Sequence, residues 1–540
     1  MPKIVRLSGK ARPEEMNPSM SGILDTPEIE QLLTLVEEAA RSSEAGVMHF
    51  VEPAPGTLRR AASKRHHVVF GRRGSGKSSL LRKAAADLTI DRRPIAYVNL
   101  EAFKGHSYPD VLLSVLISTF REFKQWMETA AVHPANRASF WRALFGTTPT
   151  RSAFRKRDAE DLALRLGREI QTLEEELHKT DAAELRVRLG NESSGQRSIS
   201  AQGGLSTPRG SVGVTAARET AGRESSEVEE TYARSKIDFL HRHILDYQAI
   251  FRDLATLSGG DAFLFLDDLY HIRRSDQPKV VDYFHRIAKD YHLWLKIGTI
   301  RHRTRWYIQG DPPTGLKIGD DADEIDLDLT LEKYSLAKQF LVKILTNFAA
   351  SVGVGSLWTV LTDGALDRLV LASGGVARDF LSIFRRSVDN ARERGGGHRG
   401  ERVGAEDVNA GAGEYDSSKR EEFSRDTSDD NATLETEFAK LREFCLDKNN
   451  TNCFLLDKEE GGEEVAQIHE LVDLKLIHLI RSRVTVSGRP GRIYEAYMLD
   501  LSQYAGARKR RDLELIEFWK PSSKEALRRA SLIYMPTAVR

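Results

Sequence analysis

The chain has 540 residues, 40% hydrophobic and 29% charged, which is the composition of a folded soluble protein; its length predicts about three or four domains. Lys and Arg number 80 against 79 Asp and Glu, which argues against a wholesale polyanion binder and leaves a local basic surface open. Two cysteines, Cys445 and Cys453, exclude a disulfide framework or a cysteine-based zinc site and fit a reducing cytosol.

Residues 1–22 carry early charges, have no apolar signal core and read as a leader. A helix is expected from Thr26-Pro27-Glu28, where a hydroxyl cap precedes a proline in the first turn, with Ile29, Leu32, Leu33, Val36 and Ala40 as its apolar stripe. After a loop with Pro53 and Pro55, His67 to Phe70 reads as a buried strand, Ser78 to Ala86 as a helix, Ile95 to Leu100 as a strand and Pro109 to Met127 as a helix. This alternation predicts a parallel α/β sheet. The run Val111 to Phe120 is the greasiest in the chain and about half the length of a membrane span, so no membrane association is expected.

Between 131 and 235 the strand logic stops. Leu162, Leu166, Ile170, Leu173 and Leu177 recur at helical spacing, and Gly190 to Arg223 is rich in Gly, Ser, Thr and Arg, with a hairpin through Ser211 to Val214 open. A helix over Lys236 to Ser258 is expected next, then a buried strand from Ala262 to Asp267, a helix from Pro278 to Asp290 and a strand from Leu293 to Ile300. Residues 331–390 read as helical. The polar stretch Arg392 to Asp430 reads as a linker with one short helix near Ala405 to Ala412. Past Leu434, a helix over Glu464 to Ile480 and two strand-like runs, Arg483 to Val486 and Arg492 to Leu499, have the order of a winged helix.

The chemistry is concentrated at Gly71-Arg72-Arg73-Gly74-Ser75-Gly76-Lys77-Ser78, followed by Ser79. Four fixed positions match in a chain of this length by chance roughly 2% of the time; the strand before and the helix after carry the assignment further. Glycines at Gly71, Gly74 and Gly76 let backbone N–H groups turn inward on phosphates, beside the positive end of a helix. Lys77 is expected at the β- and γ-phosphates of ATP, and Ser78 on Mg²⁺. Asp267, at the end of a run without other charge, is the expected second Mg²⁺ group, and Asp268 the group that polarises the attacking water.

With these residues the chain resembles two related groups, the AAA+ initiator ATPases of origin-recognition type and the STAND signalling ATPases. The likeness covers roughly 60–390 without the insertion, plus the winged-helix-like end. It includes Phe263 to Asp268, the strand ending Gly298-Thr299-Ile300-Arg301, and Ser373-Gly374-Gly375-Val376-Ala377-Arg378. The resemblance implies a γ-phosphate sensor at Thr299 or Arg301 and a lid arginine on the nucleotide at Arg378. Initiators usually carry Asp-Glu where this chain has Asp267-Asp268; the second Asp is closer to the STAND pattern and goes with slow turnover. The STAND lid proline is replaced by Val376-Ala377.

The implied architecture is an α/β parallel-sheet P-loop core with a helical lid, an inserted segment and a C-terminal winged-helix-like domain. The expected segments are leader and helix (1–60), first core part (61–130), insertion (131–235), second core part (236–330), lid and linker (331–430) and winged-helix-like domain (431–540). Arg303 and Arg305 read either as arginine fingers for a neighbouring subunit or as a solvated basic turn. From His478 to Arg540 there are 13 Lys and Arg against six Asp and Glu, including the run Arg508-Lys509-Arg510-Arg511. Arg489 and Arg492 flank the expected wing and read either as DNA phosphate contacts or as part of a protein-docking face. The function expected is an ATP-dependent cytoplasmic switch that forms a homo-oligomer and engages DNA or a protein partner. The alternative is a nucleotide-bound signalling scaffold governing a separate effector or sensor partner, in the manner of anti-phage defence.

Overall fold

A computed structural model describes residues 22–40, 50–90, 93–132, 156–179, 233–394, 402–426, 431–505, 513–520, 523 and 525–536. Residues 1–21, the Gly190 to Arg223 stretch with its Ser211 to Val214 hairpin, and the Arg508 to Arg511 run lie outside the described residues.

In chain order the first elements are α1 (Pro27–Ala40), α2 (Thr57–Ala61), β1 (His67–Phe70), α3 (Lys77–Ile90), β2 (Ile95–Asn99), α4 (Asp110–Val132) and α5 (Lys156–Leu177). Next come α6 (Ile244–Leu257), β3 (Ala262–Asp267), α7 (Gln277–Ala288), β4 (Leu293–Thr299), the small hairpin β5 (Tyr307–Ile308) and β6 (Thr314–Gly315), and β7 (Asp323–Asp326). Five strands form one sheet in the order β2-β3-β4-β1-β7, every pair parallel. β3 reads Ala-Phe-Leu-Phe-Leu-Asp and is buried throughout, as a parallel sheet covered on both faces demands. Side chains alternate between the faces. Val68 and Phe70 join the core under α4, α6 and α7, while Val69 joins Leu80, Leu81 and Ala84 of α3 on the other face. Lys296 is a charge in the middle of the buried β4; its Nζ donates to the carbonyls of Ser63 at 2.6 Å and Arg65 at 2.8 Å, which supplies the acceptors an interior ammonium needs.

The leucine stripe expected in the insertion does form a helix. α5 buries Leu162, Leu166, Ile170 and Leu173, and packs on α4 and α6, where Arg165 pairs with Asp253 at 3.0 Å. The inserted segment thus thickens the layer over one sheet face.

The lid helices are α8 (Tyr334–Ser351), α9 (Asp363–Ala372), α10 (Ala377–Glu393) and α11 (Ala405–Asp426). α11 corrects the expectation of a short helix in a linker: Val408, Ala412, Tyr415 and Lys419 are buried at helical spacing. The cation at the fourth position conceals that stripe, and Lys419 tolerates burial because Asp500 meets it at 2.7 Å. Then follow α12 (Asn431–Arg442), β8 (Cys453–Asp457), α13 (Glu463–Asp473), β9 (Ile477–Val484), β10 (Tyr494–Leu499) and the short α14 (Ser502–Ala505). The helix expected to run to Ile480 stops at Asp473, since Lys475 takes a left-handed φ of 65° and turns the chain into β9. β8 was not expected, yet it completes an antiparallel sheet of order β8-β10-β9 behind α13. Helix, hairpin and third strand make a winged-helix-like unit. One apolar cluster runs from Leu24 and the lid through to Tyr534, so lid and C-terminal unit share a core. Cys445 and Cys453 are free and buried in it.

Candidate nucleotide site

β1 ends at Phe70 and α3 begins at Lys77; the loop between them reverses with Gly74 at φ 88° and Gly76 at φ 97°, a region where side chains are strained. Lys77 is buried, its Nζ donating to the carbonyl of Gly71 at 2.8 Å. Burial lowers its pKa, opposed by the carboxylates of Asp268 and Asp267. Ser75 Oγ is buried without a hydrogen-bond partner, an acceptor-seeking hydroxyl inside the loop.

The loop floors a cavity of about 310 Å³. Gly74, Ser75, Gly76, Lys77, Ser78 and Ser79 line it, with Asp267 and Asp268 from the end of β3 and Arg378 from the lid. Its other wall is apolar: Phe50, Val51 and Pro53 before α2, and Phe340, Ile344 and Phe348 of α8. Sequence reasoning missed this wall, because its two halves lie almost three hundred residues apart in the chain and share no motif.

Asp267 is buried and held on both oxygens. Tyr97 Oη donates to Oδ2 at 2.6 Å, and the amide of Asp268 donates to Oδ1 at 3.0 Å. Gly298 on the adjoining β4 leaves room for it, since a Cβ there would lie 2.5 Å from Asp267 Oδ1. Asp268 has a left-handed φ of 58° and opens a 3-10 turn, Leu269–His271. Burial first, and Asp267 next, push its carboxyl up to about 6. Glu101, in the 3-10 turn Leu100–Phe103 that follows β2, and His271 also line the cavity and were not singled out from sequence.

Arg378 belongs to the site because α10 docks on the loop: its amide donates to the carbonyl of Gly74 at 3.2 Å. Arg72 braces the same junction. Its backbone amide and Nε donate to Asp328 Oδ1 at 3.0 and 3.1 Å, and its Nη2 to the carbonyl of Gly374 at 3.0 Å.

The other sequence candidates are not brought to the cavity wall. Thr299 is buried with its hydroxyl on Thr304. Arg301 lies over the Phe70 ring at 4.2 Å and is held by Glu324 and Asp326 of β7. Those acids, on a strand the sequence did not reveal, intercept the guanidinium. Arg303 lies 3.9 Å from Glu470 of α13, whereas Arg305 is exposed, its backbone amide donating to Gln277 Oε1 at 2.7 Å. Arg489 is exposed at the tip between β9 and β10; Arg492, also exposed, gives its Nη1 to Asp457 at 2.6 Å.

Among the described residues no helix is long and apolar enough to cross a membrane. No family model matches the sequence, and no curated protein matches it. Among solved structures, the Orc1 protein of Aeropyrum pernix, determined in complex with DNA, is similar over 90% of this chain and 93% of that one, at 14% identity and a TM-score of 0.30. Cdc6p of Pyrobaculum aerophilum is similar over 90% and 93%, at 12% identity and a TM-score of 0.29. The strand, glycine loop and helix start at β1 and α3, the five-stranded parallel sheet and the helical lid docked on the loop give this chain the fold of a P-loop nucleotide-binding core.

Proposed function

We propose that the protein is an ATP-binding, ATP-hydrolysing molecular switch. What carries the reading is that a phosphate-type loop, two carboxylates and an apolar wall share one cavity between sheet and lid. The loop amides and Lys77 would take the phosphates, and the wall of Phe50, Val51, Phe340 and Phe348 the base. Ser78 and Asp267 fit Mg²⁺, since both offer hard oxygen ligands in the cavity and Asp267 keeps lone pairs beyond the two already used. Bound there, the cation would neutralise charge building on the β- and γ-phosphates. Asp268, beside Asp267 on the cavity wall, is placed to orient and deprotonate an attacking water. Arg378 would answer the phosphates from the lid side.

Because lid and C-terminal unit share a core, a lid that closes on ATP carries the winged-helix-like unit with it. That motion is the output of the switch, presented to DNA through Arg489 and Arg492, to a partner protein, or to a second copy of the chain through Arg305. The shared core also favours a second reading, in which ATP is a retained structural ligand and the chain is a scaffold that regulates an effector. Turnover separates the two. Specific ATPase activity that rises with protein concentration and loses that rise in Arg305→Ala supports the switch with a trans-acting arginine. Tight ATP binding with no release of phosphate, at any protein concentration, supports the scaffold.

A further inference from the structure

Asp267 is fixed from a strand that carries no part of the phosphate-loop pattern. β2 and β3 pair in parallel with Asn99 opposite Asp267 and Tyr97 opposite Phe265. Tyr97 therefore stands one strand over, and its long side chain spans the gap to put Oη 2.6 Å from Asp267 Oδ2. Its ring is itself held. It stacks on Phe265 with centroids 5.9 Å apart, and the Arg82 guanidinium of α3 lies 4.8 Å from its centroid. A phenol keeps its proton at neutral pH, so Tyr97 is the donor of this bond.

Each carboxylate oxygen of Asp267 thus spends one lone pair on a protein donor, Tyr97 on Oδ2 and the Asp268 amide on Oδ1. Gly298 supplies the space that makes this orientation sterically allowed. Donors behind a metal-binding carboxylate fix its rotamer before the metal arrives, and their loss typically weakens metal affinity 10- to 100-fold.

We propose that Tyr97 is a positioning residue that presets Asp267 for the divalent cation of the nucleotide. The proposal rests on the reading of Asp267 as a cation ligand. It assigns Tyr97 no contact with nucleotide, so its influence is confined to the cation-dependent part of binding.

Calorimetric titration of the full chain with ATP, first with chelator and then across a Mg²⁺ series, tests it. Tyr97→Phe keeps the ring and its stacking and removes only the hydroxyl. The expected result is unchanged affinity for metal-free ATP and a Mg²⁺ requirement raised about tenfold or more. Mn²⁺ bound to the ATP complex, followed by electron paramagnetic resonance, should weaken in parallel. A Tyr97→Phe protein with the wild-type Mg²⁺ dependence overturns the proposal if Asp267→Ala, in the same series, loses it. If Asp267→Ala also keeps the wild-type dependence, Asp267 is not a cation ligand and the underlying reading fails first. Equal weakening with and without Mg²⁺ in Tyr97→Phe marks a purely structural tyrosine and overturns the proposal as well.

Discussion

Arg378 and Gly74 meet backbone to backbone: the lid amide donates to the loop carbonyl at 3.2 Å, and a Cβ on Gly74 would lie 2.7 Å from the Arg378 Cβ. The lid is thereby registered on the phosphate loop independently of any side-chain charge. Gly74→Ala places a methyl in that contact and on a residue with φ 88°, so it should cost about 1–3 kcal/mol of stability. It should also weaken ATP binding, because the loop and lid cannot both keep their places. Thermal denaturation with and without ATP reads both effects; a variant with the wild-type midpoint in both conditions contradicts the close approach.

The C-terminal unit is joined to the core by a buried carboxylate. Asp473 Oδ2 accepts the amide of His302, just past β4, at 3.0 Å. Burial first, then Asp328, push the Asp473 carboxyl up to about 7. An unfolded aspartate titrates at about 3.9, so the folded pKa is the higher one. The stability this group contributes is therefore complete below about pH 3.9 and is lost as pH rises through about 7. Urea midpoints should fall between about pH 5 and about pH 8, and Asp473→Asn should flatten that part of the profile. The same slope in wild type and variant would remove Asp473 as its source.

Arg492 is committed to Asp457 at 2.6 Å, whereas Arg489 sits exposed on the turn between Gly488 and Gly491, both with φ 86°. If the tip lies on a duplex, Arg489→Ala should lower the log–log salt slope of DNA binding by about 0.9, and Arg492→Ala by less. Fluorescence anisotropy across a salt series checks the order. Equal losses would mean that Arg492 leaves Asp457 on binding.

The strand–loop–helix was legible because strand, glycines and helix start are contiguous, and the place of Asp267 at a strand end because it closes an apolar run. What escaped the sequence depends on distant partners. Lys419 interrupts the apolar stripe of α11 and makes sense only beside Asp500, eighty-one residues on. β7 reads Asp-Glu-Ile-Asp and has almost no strand signature; it pairs at the sheet edge, where charge is tolerated, and there captures Arg301. β8 was within reach, since Cys453-Phe454-Leu455-Leu456 is a short continuous apolar run and all four residues are buried. Tyr97, Glu101 and the aromatic wall from Phe340 and Phe348 are ordinary residues in sequence and acquire a role only when β2 and the lid are set around the loop.

The central claim is that Lys77 and its loop hold the phosphates of ATP. Isothermal titration of ATP with Mg²⁺ into wild-type protein and into Lys77→Ala tests it most directly. The account predicts saturable binding with one site per chain in the wild type and no measurable binding in Lys77→Ala, since among the described residues Lys77 is the ammonium held on the loop carbonyls. Equal affinity in the two proteins, or no binding by the wild type, would contradict it.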